Sequence, residues 1–209
     1  MKFSISIRVA WLVPATCLIL CTPADVLGQA PFPEFLDPNP APGNGFGTHV
    51  VPLGTGNVVI TSPGDDAGGL DAGAVYLFNG YTGALISTLR GSYANDQVGS
   101  GGVEALSNGN FVAMSPLADN GLTANTGAVT WGSGTTGVSG TALNNSLRGS
   151  TADDQVGSGG VTALPNGNYV VASPLWNNGV VADVGAASWG NGATGVRGAV
   201  SAASSLVGW

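Results

Sequence analysis

Three carboxylates lie close together near the start of the glycine-rich part of the chain. Asp65, Asp66 and Asp71 could together hold a cation, because calcium and magnesium prefer oxygen ligands such as carboxylates. Two related segments further along have only Asp119 and then Asn177-Asn178 at the corresponding place. A cation site common to these segments would keep its charged ligands. We therefore expect solvated loop acids here and no bound metal.

Candidates for acid–base or nucleophilic chemistry are few. His49 is the only histidine, so a Ser-His-Asp arrangement would have to use it, yet it falls in a strand-like stretch without a nucleophile motif. Glycoside hydrolysis needs a pair of carboxylates, and nothing singles out a pair from Glu34, Glu104 and the aspartates. Asp96 and Asp154 recur before Gln-Val-Gly, which turn capping explains. We expect no catalytic residue, no cofactor and no enzymatic activity.

Three tryptophans differ in how they repeat along the chain. Trp131 and Trp189 occupy one position of the repeat described below, which favours packing between repeats. Trp176 has Ala118 as its counterpart and falls in a loop. A loop tryptophan can stack on a sugar or on a partner protein. Trp176 is therefore the candidate for direct contact with a ligand.

The charge balance excludes two classes of partner. The chain has five basic and twelve acidic residues. After residue 30, three arginines and no lysine remain against eleven acids, a net charge of about −8. A nucleic-acid binder needs clustered basic residues to neutralise phosphates, and so does a protein that binds an anionic membrane surface. We expect neither kind of binding.

Residues 1–30 are typical of a secretory signal peptide. Two basic residues precede an apolar run from Ala10 to Cys21 that is too short to span a bilayer, and small residues at Gly28 and Ala30 suit cleavage. The alternative is an uncleaved N-terminal anchor. Both cysteines lie in this segment, so the exported part would have no disulfide and no thiol chemistry. We predict a secreted or cell-surface protein whose mature chain begins near residue 29 or 31.

The rest of the chain is a tandem repeat. Residues 89–146 and 147–204 align without a gap and are identical at 35 of 58 positions. A more divergent copy precedes them, so we place three repeats at 43–88, 89–146 and 147–205. Residues 31–42 form a proline-rich linker. Residues 206–209 are expected to begin a further repeat that is cut short.

Each repeat has the pattern of an all-β unit. Short apolar runs such as Phe111–Met114 and Ala128–Trp131 alternate with turns, and no stretch has a helical period with caps. The segments 107–110 and 165–168 carry Asn-Gly between apolar runs and predict two-residue hairpins with type I′ turns. Four short strands per repeat favour tandem propeller-like blades, about three here, in an incomplete ring. A β-solenoid is the alternative.

The first repeat resembles a known family. Phe46-Gly47, Val58–Pro63 and Gly73–Phe78 are similar to the FG-GAP repeat of integrin α-subunit propellers. The later copies are similar to a bacterial repeat of unknown function found in large secreted, haemagglutinin-like proteins. The resemblance implies a β-propeller and a role in cell adhesion. The calcium loop of the FG-GAP family is replaced by hairpins such as Leu53–Asn57 that carry no carboxylate, so we expect no calcium there.

Three hypotheses for function follow, in decreasing order of support. The first is a secreted or cell-surface adhesion or protein-interaction scaffold, the second a glycan-binding, lectin-like propeller, and the third a secreted hydrolase. The partner would be a protein or a glycan. Three blades do not close a ring, which leaves unpaired strand edges. We therefore expect either a fragment of a longer array or self-association through the open repeat edges.

Overall fold

Apolar runs bounded by glycine-containing turns form fourteen β-strands in residues 33–208, which the computed structural model describes. One short 3-10 helix, at Ala142–Asn145, lies among them. The predicted signal peptide, residues 1–30, falls outside the described residues. Within residues 33–208 no helix is long and apolar enough to cross a membrane. The prediction of an all-β chain is confirmed.

The strands form three successive four-stranded antiparallel sheets, here called blades 1, 2 and 3. Blade 1 contains β1 (Val50–Pro52), β2 (Asn57–Ser62), β3 (Ala74–Asn79) and β4 (Leu85–Arg90). Blade 2 contains β5 (Val103–Ala105), β6 (Phe111–Ser115), β7 (Ala128–Gly132) and, after the short β8 (Gly140–Thr141), β9 (Ser146–Arg148). Blade 3 contains β10 (Val161–Ala163), β11 (Tyr169–Ser173), β12 (Ala186–Gly190) and, after the short β13 (Gly198–Ala199), β14 (Ser205–Val207).

Strands β8 and β13 tie successive blades together. Strand β8 belongs to the second repeat but pairs in parallel with β4 at the outer edge of blade 1. Strand β13 belongs to the third repeat and pairs in parallel with β9 of blade 2. Both come from the segments 133–145 and 191–204, which replace the plain turn at 80–84 of the first repeat. Each later repeat thus adds a fifth strand to the blade before it.

Apolar clusters fill the two spaces between successive blades. The first cluster includes Val59 and Leu89 of blade 1 and Phe111 of blade 2. The second includes the equivalent Val112 and Leu147 of blade 2 and Tyr169 of blade 3. The first strands β1, β5 and β10 lie next to one another, as the innermost strands of propeller blades do. The blades are therefore stacked face to face around a common inner edge, consistent with the predicted propeller-like blades.

Each blade pairs one aromatic ring with one smaller residue across β2–β3 or its equivalent. Phe111 lies opposite Gly132 and Tyr169 lies opposite Gly190. A Cβ at either glycine would lie within about 2.2 Å of the facing ring, so the aromatic residue depends on the glycine. In blade 1 the order is reversed, since Val58 faces Phe78. The aromatic ring thus lies on β3 in blade 1 and on the second strand in blades 2 and 3, and it faces the N-terminal aromatic cluster in blade 1.

The outer face of blade 1 is covered by the N-terminal segment. Phe35 packs edge-on against Phe78 with ring centroids 5.6 Å apart, and Phe46 lies 6.1 Å from Tyr76. These rings join Ile60 in a third apolar cluster. Part of the predicted proline-rich linker, residues 31–42, therefore packs on blade 1 instead of extending from it.

The turn type predicted for the Asn-Gly hairpins is wrong. A type I′ turn needs positive φ at two residues, but in segment 107–110 only Gly109 has one, at 87°. The backbone hydrogen bond from Gly109 N to Leu106 O is 2.9 Å, and the next residue returns to the strand. When the residue whose N–H closes the turn is a glycine with positive φ, the hairpin has a longer loop that includes a β-bulge. Residues 53–56 and 164–167 repeat this bond, at 2.9 and 3.0 Å.

The blades are offset along the chain from the predicted sequence repeats. The predicted boundary before Leu89 falls inside β4, and the one before Leu147 falls inside β9. Leu206 pairs with Ala187 just as Leu147 pairs with Val129. Residues 205–207 thus form the last strand of blade 3, and Leu206 takes the place of Leu147, the first residue of the third predicted repeat.

A series of hydrogen bonds runs between the repeats at the β1–β2 end of the blades. Asn57 donates through Nδ2 to Gly134 O at 2.8 Å, and Gly134 N donates to Asn110 Oδ1 at 3.1 Å. Asn110 Nδ2 then donates to Gly192 O at 2.9 Å, and Gly192 N donates to Asn168 Oδ1 at 3.0 Å. This asparagine ladder joins all three repeats through buried or partly buried amides.

Candidate binding surface

Three equivalent loops lie at the opposite end of the blades. They connect β2 to β3, β6 to β7 and β11 to β12, and span residues 63–73, 116–127 and 174–185. We call them the loop row. Each follows a serine that ends the preceding strand and begins with the proline of the repeated Ser-Pro. They contain all the residues predicted as weak metal ligands or as a ligand contact, Asp65, Asp66, Asp71 and Trp176.

Two turns join the loops into a continuous row. Asn95 N donates to Leu70 O at 2.8 Å, and the neighbouring Asp96 accepts a hydrogen bond of 2.8 Å from Asp119 N. In the next repeat, Asp153 N donates to Ala124 O at 3.1 Å. Asp154 accepts bonds of 3.0 and 2.9 Å from the backbone and side-chain nitrogens of Asn177. The two turns thus fix the loops to one another through backbone bonds and through the carboxylates of Asp96 and Asp154.

The turn-capping role predicted for Asp96 and Asp154 is confirmed. Both carboxylates are buried. Asp96 Oδ2 accepts from Ser92 N and Tyr93 N at 2.7 and 2.8 Å. Asp154 Oδ2 accepts from the equivalent nitrogens of Ser150 and Thr151, both at 2.8 Å. Each carboxylate therefore caps its own turn with one oxygen and holds the next loop with the other.

Asp65 is buried, so the expectation of a solvated acid is wrong for this residue. Its Oδ1 accepts from Ala67 N at 2.8 Å and from Asn39 Nδ2 at 3.1 Å, and its Oδ2 accepts from the Tyr76 hydroxyl. Burial, the hydrogen bond to Asp65 and the charge of Asp65 raise the pKa of Tyr76. No local sequence signal points to this partner, because Tyr76 lies in β3 and not in the loop.

The other two candidate metal ligands, Asp66 and Asp71, are hydrogen-bonded to each other and not to the buried Asp65 side chain. Asp66 is exposed and accepts from Asp71 N at 2.8 Å. Asp71 has a positive φ of 51°, which short polar residues adopt more readily than most. Among the described residues there is no group of three or more His, Cys, Asp or Glu side chains arranged to hold a metal ion. All three acids have roles in the loop's own hydrogen bonding or conformation.

The tips of the loop row carry exposed apolar side chains. Leu70, Leu122 and Val180 occupy the three loops, one in each, and all three are exposed. Single exposed apolar residues are common on protein surfaces. Leu122 and Val180 are equivalent positions, whereas Leu70 corresponds to Ala124, because the carbonyls of Leu70 and Ala124 accept the same inter-repeat hydrogen bond. The presence of an exposed apolar side chain in each of three joined loops is the feature that distinguishes this end of the molecule. A sequence comparison of the repeats could have found it, since each tip interrupts a run of Gly, Asn and Asp.

Trp176 is not placed where it could stack on a ligand. Its side chain is only 4% exposed and packs in the cluster between blades 2 and 3. The prediction assumed that a loop position faces the solvent. The counterpart, Ala118, is also buried, so this loop position faces inward in both repeats. Trp131 confirms the expected packing between repeats: its indole Nε1 donates to Gly192 O of the third repeat at 2.9 Å. Trp189, at the equivalent position, is 53% exposed.

The remaining candidates lie outside the loop row. His49 precedes β1, and its Nδ1 is 3.2 Å from Thr61 Oγ1. Glu104 lies in β5, and Glu34 lies in the exposed part of the N-terminal segment. The loop row thus offers backbone amides, exposed carboxylates and apolar tips. Such a surface suits binding.

Comparison with known proteins identifies the repeat. No curated protein matches the chain. The comparison gives no link to FG-GAP repeats or to haemagglutinin-like proteins. A family model described as a repeat of unknown function, DUF5650, matches residues 52–100, 105–158 and 163–209. Because these three matches cover more than half of the sequence, the chain belongs to the DUF5650 family of repeats of unknown function.

Proposed function

We propose that this protein is a non-catalytic interaction scaffold that binds a partner through the loop row. The observation that carries the proposal is the recurrence of one exposed apolar tip in each of three loops that hydrogen bonds hold together, at Leu70, Leu122 and Val180. A row of this kind presents one exposed apolar side chain per repeat, at equivalent positions in the second and third loops and at a neighbouring position in the first. Repetition raises affinity by multivalency when a partner offers matching sites.

The chemistry of the acids supports binding over catalysis. Asp65, Asp96 and Asp154 each accept several hydrogen bonds from groups within the fold. A catalytic carboxylate must reach the substrate, whereas these three are buried and held by backbone amides. The acids left at the surface of the loop row, such as Asp66 and Asp183, add negative charge around the apolar tips. A partner with an apolar centre and a basic rim would fit this pattern.

We further propose that the scaffold works outside the cytoplasm, as a secreted or cell-surface protein in the manner of an adhesin. The support is the signal-peptide pattern of residues 1–30 and the resemblance of the first repeat to FG-GAP repeats. Mass spectrometry of protein from the culture medium tests the export. We expect an N-terminus near residue 29 or 31, and secreted material that retains Met1 to Ala30 would contradict cleavage.

Binding to immobilised extracellular-matrix proteins tests the scaffold function. The variant L70S/L122S/V180S removes the three apolar tips and leaves the buried hydrogen bonds intact. Its matched control is Tyr81→Ser, which removes an exposed ring, 83% accessible, from the β3–β4 turn at the other end of blade 1. We expect the native chain and the Tyr81→Ser control to be retained equally, and the triple variant to lose roughly tenfold or more in affinity.

Two outcomes would contradict the proposal. Retention of the triple variant at native affinity would show that the loop row is not the binding surface. Binding to a glycan array, without binding to any matrix protein, would favour the lectin-like alternative.

A further inference from the structure

We propose that the outer face of blade 3 is a docking surface for one further repeat of the DUF5650 family. The inference rests on the geometry of the two internal blade interfaces and is independent of the proposed function of the loop row. It identifies the interaction surface and the kind of partner that fits it, a repeat with the features of the second and third repeats here.

The apolar positions that one blade presents to the next are exposed only in blade 3. In blades 1 and 2, the residues at these positions in the third and fourth strands are Val75, Leu89, Val129 and Leu147, and all are buried. The equivalents in blade 3 are Ala187, which is partly exposed, and Leu206, which is 81% exposed. Together with Trp189 and Val170 they line a shallow apolar groove. The face has the chemistry of an interface but no covering blade among the described residues.

A small pocket for a valine is also open on blade 3. In the second repeat Val98 inserts beside blade 1, where its N donates to Ala72 O at 2.9 Å. In the third repeat Val156 inserts beside blade 2, and its N donates to Thr126 O at 3.1 Å. Both valines pass directly over a glycine, Gly73 or Gly127, that leaves room for the backbone. The equivalent glycine of blade 3, Gly185, has no such neighbour within the described chain.

Blade 3 also carries the equivalents of the donor side chains that form the polar contacts at the two internal interfaces. Gly192 O receives hydrogen bonds from Asn110 Nδ2 at 2.9 Å and from Trp131 Nε1 at 2.9 Å. The equivalent donors on blade 3 are Asn168 Nδ2 and Trp189 Nε1. Within residues 33–208 the hydrogen bonds of Asn168 use its backbone atoms and its Oδ1, and Trp189 is 53% exposed. A further repeat would supply a glycine carbonyl at this point, as Gly134 and Gly192 do for the blades before them.

The outer strand completes the match. Strand β4 accepts β8 in parallel, and β9 accepts β13 in parallel. Strand β14 pairs with β12 on one side, and in the described part of the chain nothing pairs with its other side. An unpaired edge is a template for another strand. Four features of blade 3 thus specify the same occupant: the apolar face, the valine pocket, the two side-chain donors and the strand edge.

A second copy of this chain is a poorer fit. Its blades 2 and 3 already use the surfaces that would dock, since they cover blades 1 and 2. The corresponding face of its blade 1 is occupied by Phe35 and Phe46. A second copy would therefore have to approach with its own exposed blade 3, which offers donors but no valine, no glycine carbonyl and no extra strand to match.

A tandem duplication tests the proposal. Residues 147–209 are placed directly after residue 205, so that the added Leu147 takes the place of Leu206 and the added blade keeps its own β14. In the full chain and in this four-repeat chain, Ala187→Cys is introduced in the original third repeat only. The rate of its alkylation by iodoacetamide is read by peptide mass mapping, which separates it from Cys17 and Cys21. We expect alkylation to be roughly tenfold or more slower in the four-repeat chain.

A matched control isolates the docking contacts. Val156→Asp in the added repeat alone removes the valine insertion, and the rate at residue 187 should return to that of the three-repeat chain. Equal alkylation rates in the three- and four-repeat chains would overturn the proposal, whether limited proteolysis finds the added repeat folded or cleaves it. Protection already present in the three-repeat chain, and increasing with its concentration, would also overturn it, because a second copy would then be the occupant.

Discussion

At the scale of single residues, the recurring acids of this protein act as acceptors for backbone amides. Asp154 shows the principle, since one carboxylate serves four nitrogens from two separate segments. A buried N–H without a partner costs about 1–3 kcal/mol, so one side chain removes several such costs at once. This explains why an aspartate recurs before Gln-Val-Gly without any catalytic role.

We predict that Asp154→Asn lowers the free energy of unfolding by roughly 2–4 kcal/mol. The amide replaces one acceptor oxygen by a donor that faces other donors, either at Ser150 and Thr151 or at Asn177. Urea unfolding followed by circular dichroism measures the change. Asp183→Asn makes the same chemical substitution at an exposed position and should change the free energy by less than about 0.5 kcal/mol. Equal losses for the two variants would contradict the role of Asp154.

Tyr169 gives the fold a dependence on alkaline pH. Burial raises the pKa of Tyr169 to about 12 from the usual 10, and the backbone of Val196 opposes the increase in part. The native state therefore keeps the phenol proton after the unfolded state has lost it. The stabilising contribution is complete below about pH 10 and is lost as the pH rises toward 12, by at most about 1.4 kcal/mol per pH unit.

We predict that Tyr169→Phe removes part of the loss of stability between pH 10 and 12, the interval between the unfolded and folded pKa values. The substitution is sterically acceptable because Phe111 occupies the same position in blade 2. Unfolding by urea at pH 8 to 12 provides the measurement. Tyr81→Phe, at an exposed ring, is the control and should keep the native pH profile. Identical profiles for Tyr169→Phe and the native chain would contradict the assignment. Tyr76 acts in the same direction in all of these proteins.

At the scale of elements, the blades depend on glycines where one backbone passes over another. Gly127 and Gly185 occupy the same repeat position with nearly equal φ angles of 75° and 76°. A Cβ at Gly127 would lie 2.2 Å from Val156 N, whereas the nearest atom to a Cβ at Gly185 is Pro174 O at 3.4 Å. The two positions thus share the conformational cost of a side chain at positive φ but differ in the steric cost.

We predict that Gly127→Ala destabilises the protein by roughly 1–3 kcal/mol more than Gly185→Ala does. The difference arises because Val156 N is held by its hydrogen bond to Thr126 O and cannot retreat from the new methyl group. Thermal and urea unfolding of the two variants measure it. If both variants lose the same stability, blade 2 and the third repeat do not pack as closely as described.

Much of this architecture was accessible from the sequence, because strand-forming runs and turn residues are local signals. The three repeats, the short strands and the position of the Asn-Gly hairpins all follow from such signals. The turn type did not, because the bulge at Gly109 depends on how β5 and β6 pair and not on Asn-Gly alone. The local sequence indicates that the chain turns. The pairing of the flanking strands determines how many residues the turn contains.

Strands β8 and β13 were out of reach for a different reason. Each has only two paired residues, Gly140–Thr141 and Gly198–Ala199, which are too few to show an alternating strand pattern. They are strands only because the edge of the preceding blade accepts them. The burial of Trp176 was missed likewise, since the loop that carries it folds back over the core between blades. In the candidate site, the recurring acids could be predicted as turn caps, but the contact of Asp65 with Tyr76 could not.

At the scale of the whole molecule, burial is unequal among the three blades. Blade 2 is covered on both faces, and every residue of β6 is buried. Blade 1 has blade 2 on one face and the N-terminal aromatic residues on the other. Blade 3 is covered on one face only, and its central strands β11 and β12 alternate between buried and less buried residues. In repeat proteins the stability of a unit depends strongly on its neighbours, so blade 3 should open most readily.

We predict that amide hydrogen exchange follows this order, with β6 and β7 most protected and β11, β12 and β14 least protected. Opening of a region is easier where few apolar contacts must be broken, and blade 3 also exposes the edge of β14. Hydrogen exchange by mass spectrometry on the full chain at low concentration measures the rates for peptides from the three blades. Equal protection of β11 and β6 at low concentration would contradict the single-faced burial of blade 3. Protection of β11 and β12 that rises with concentration would instead show that another molecule of the chain covers this face, which would also oppose the docking of a further repeat proposed above.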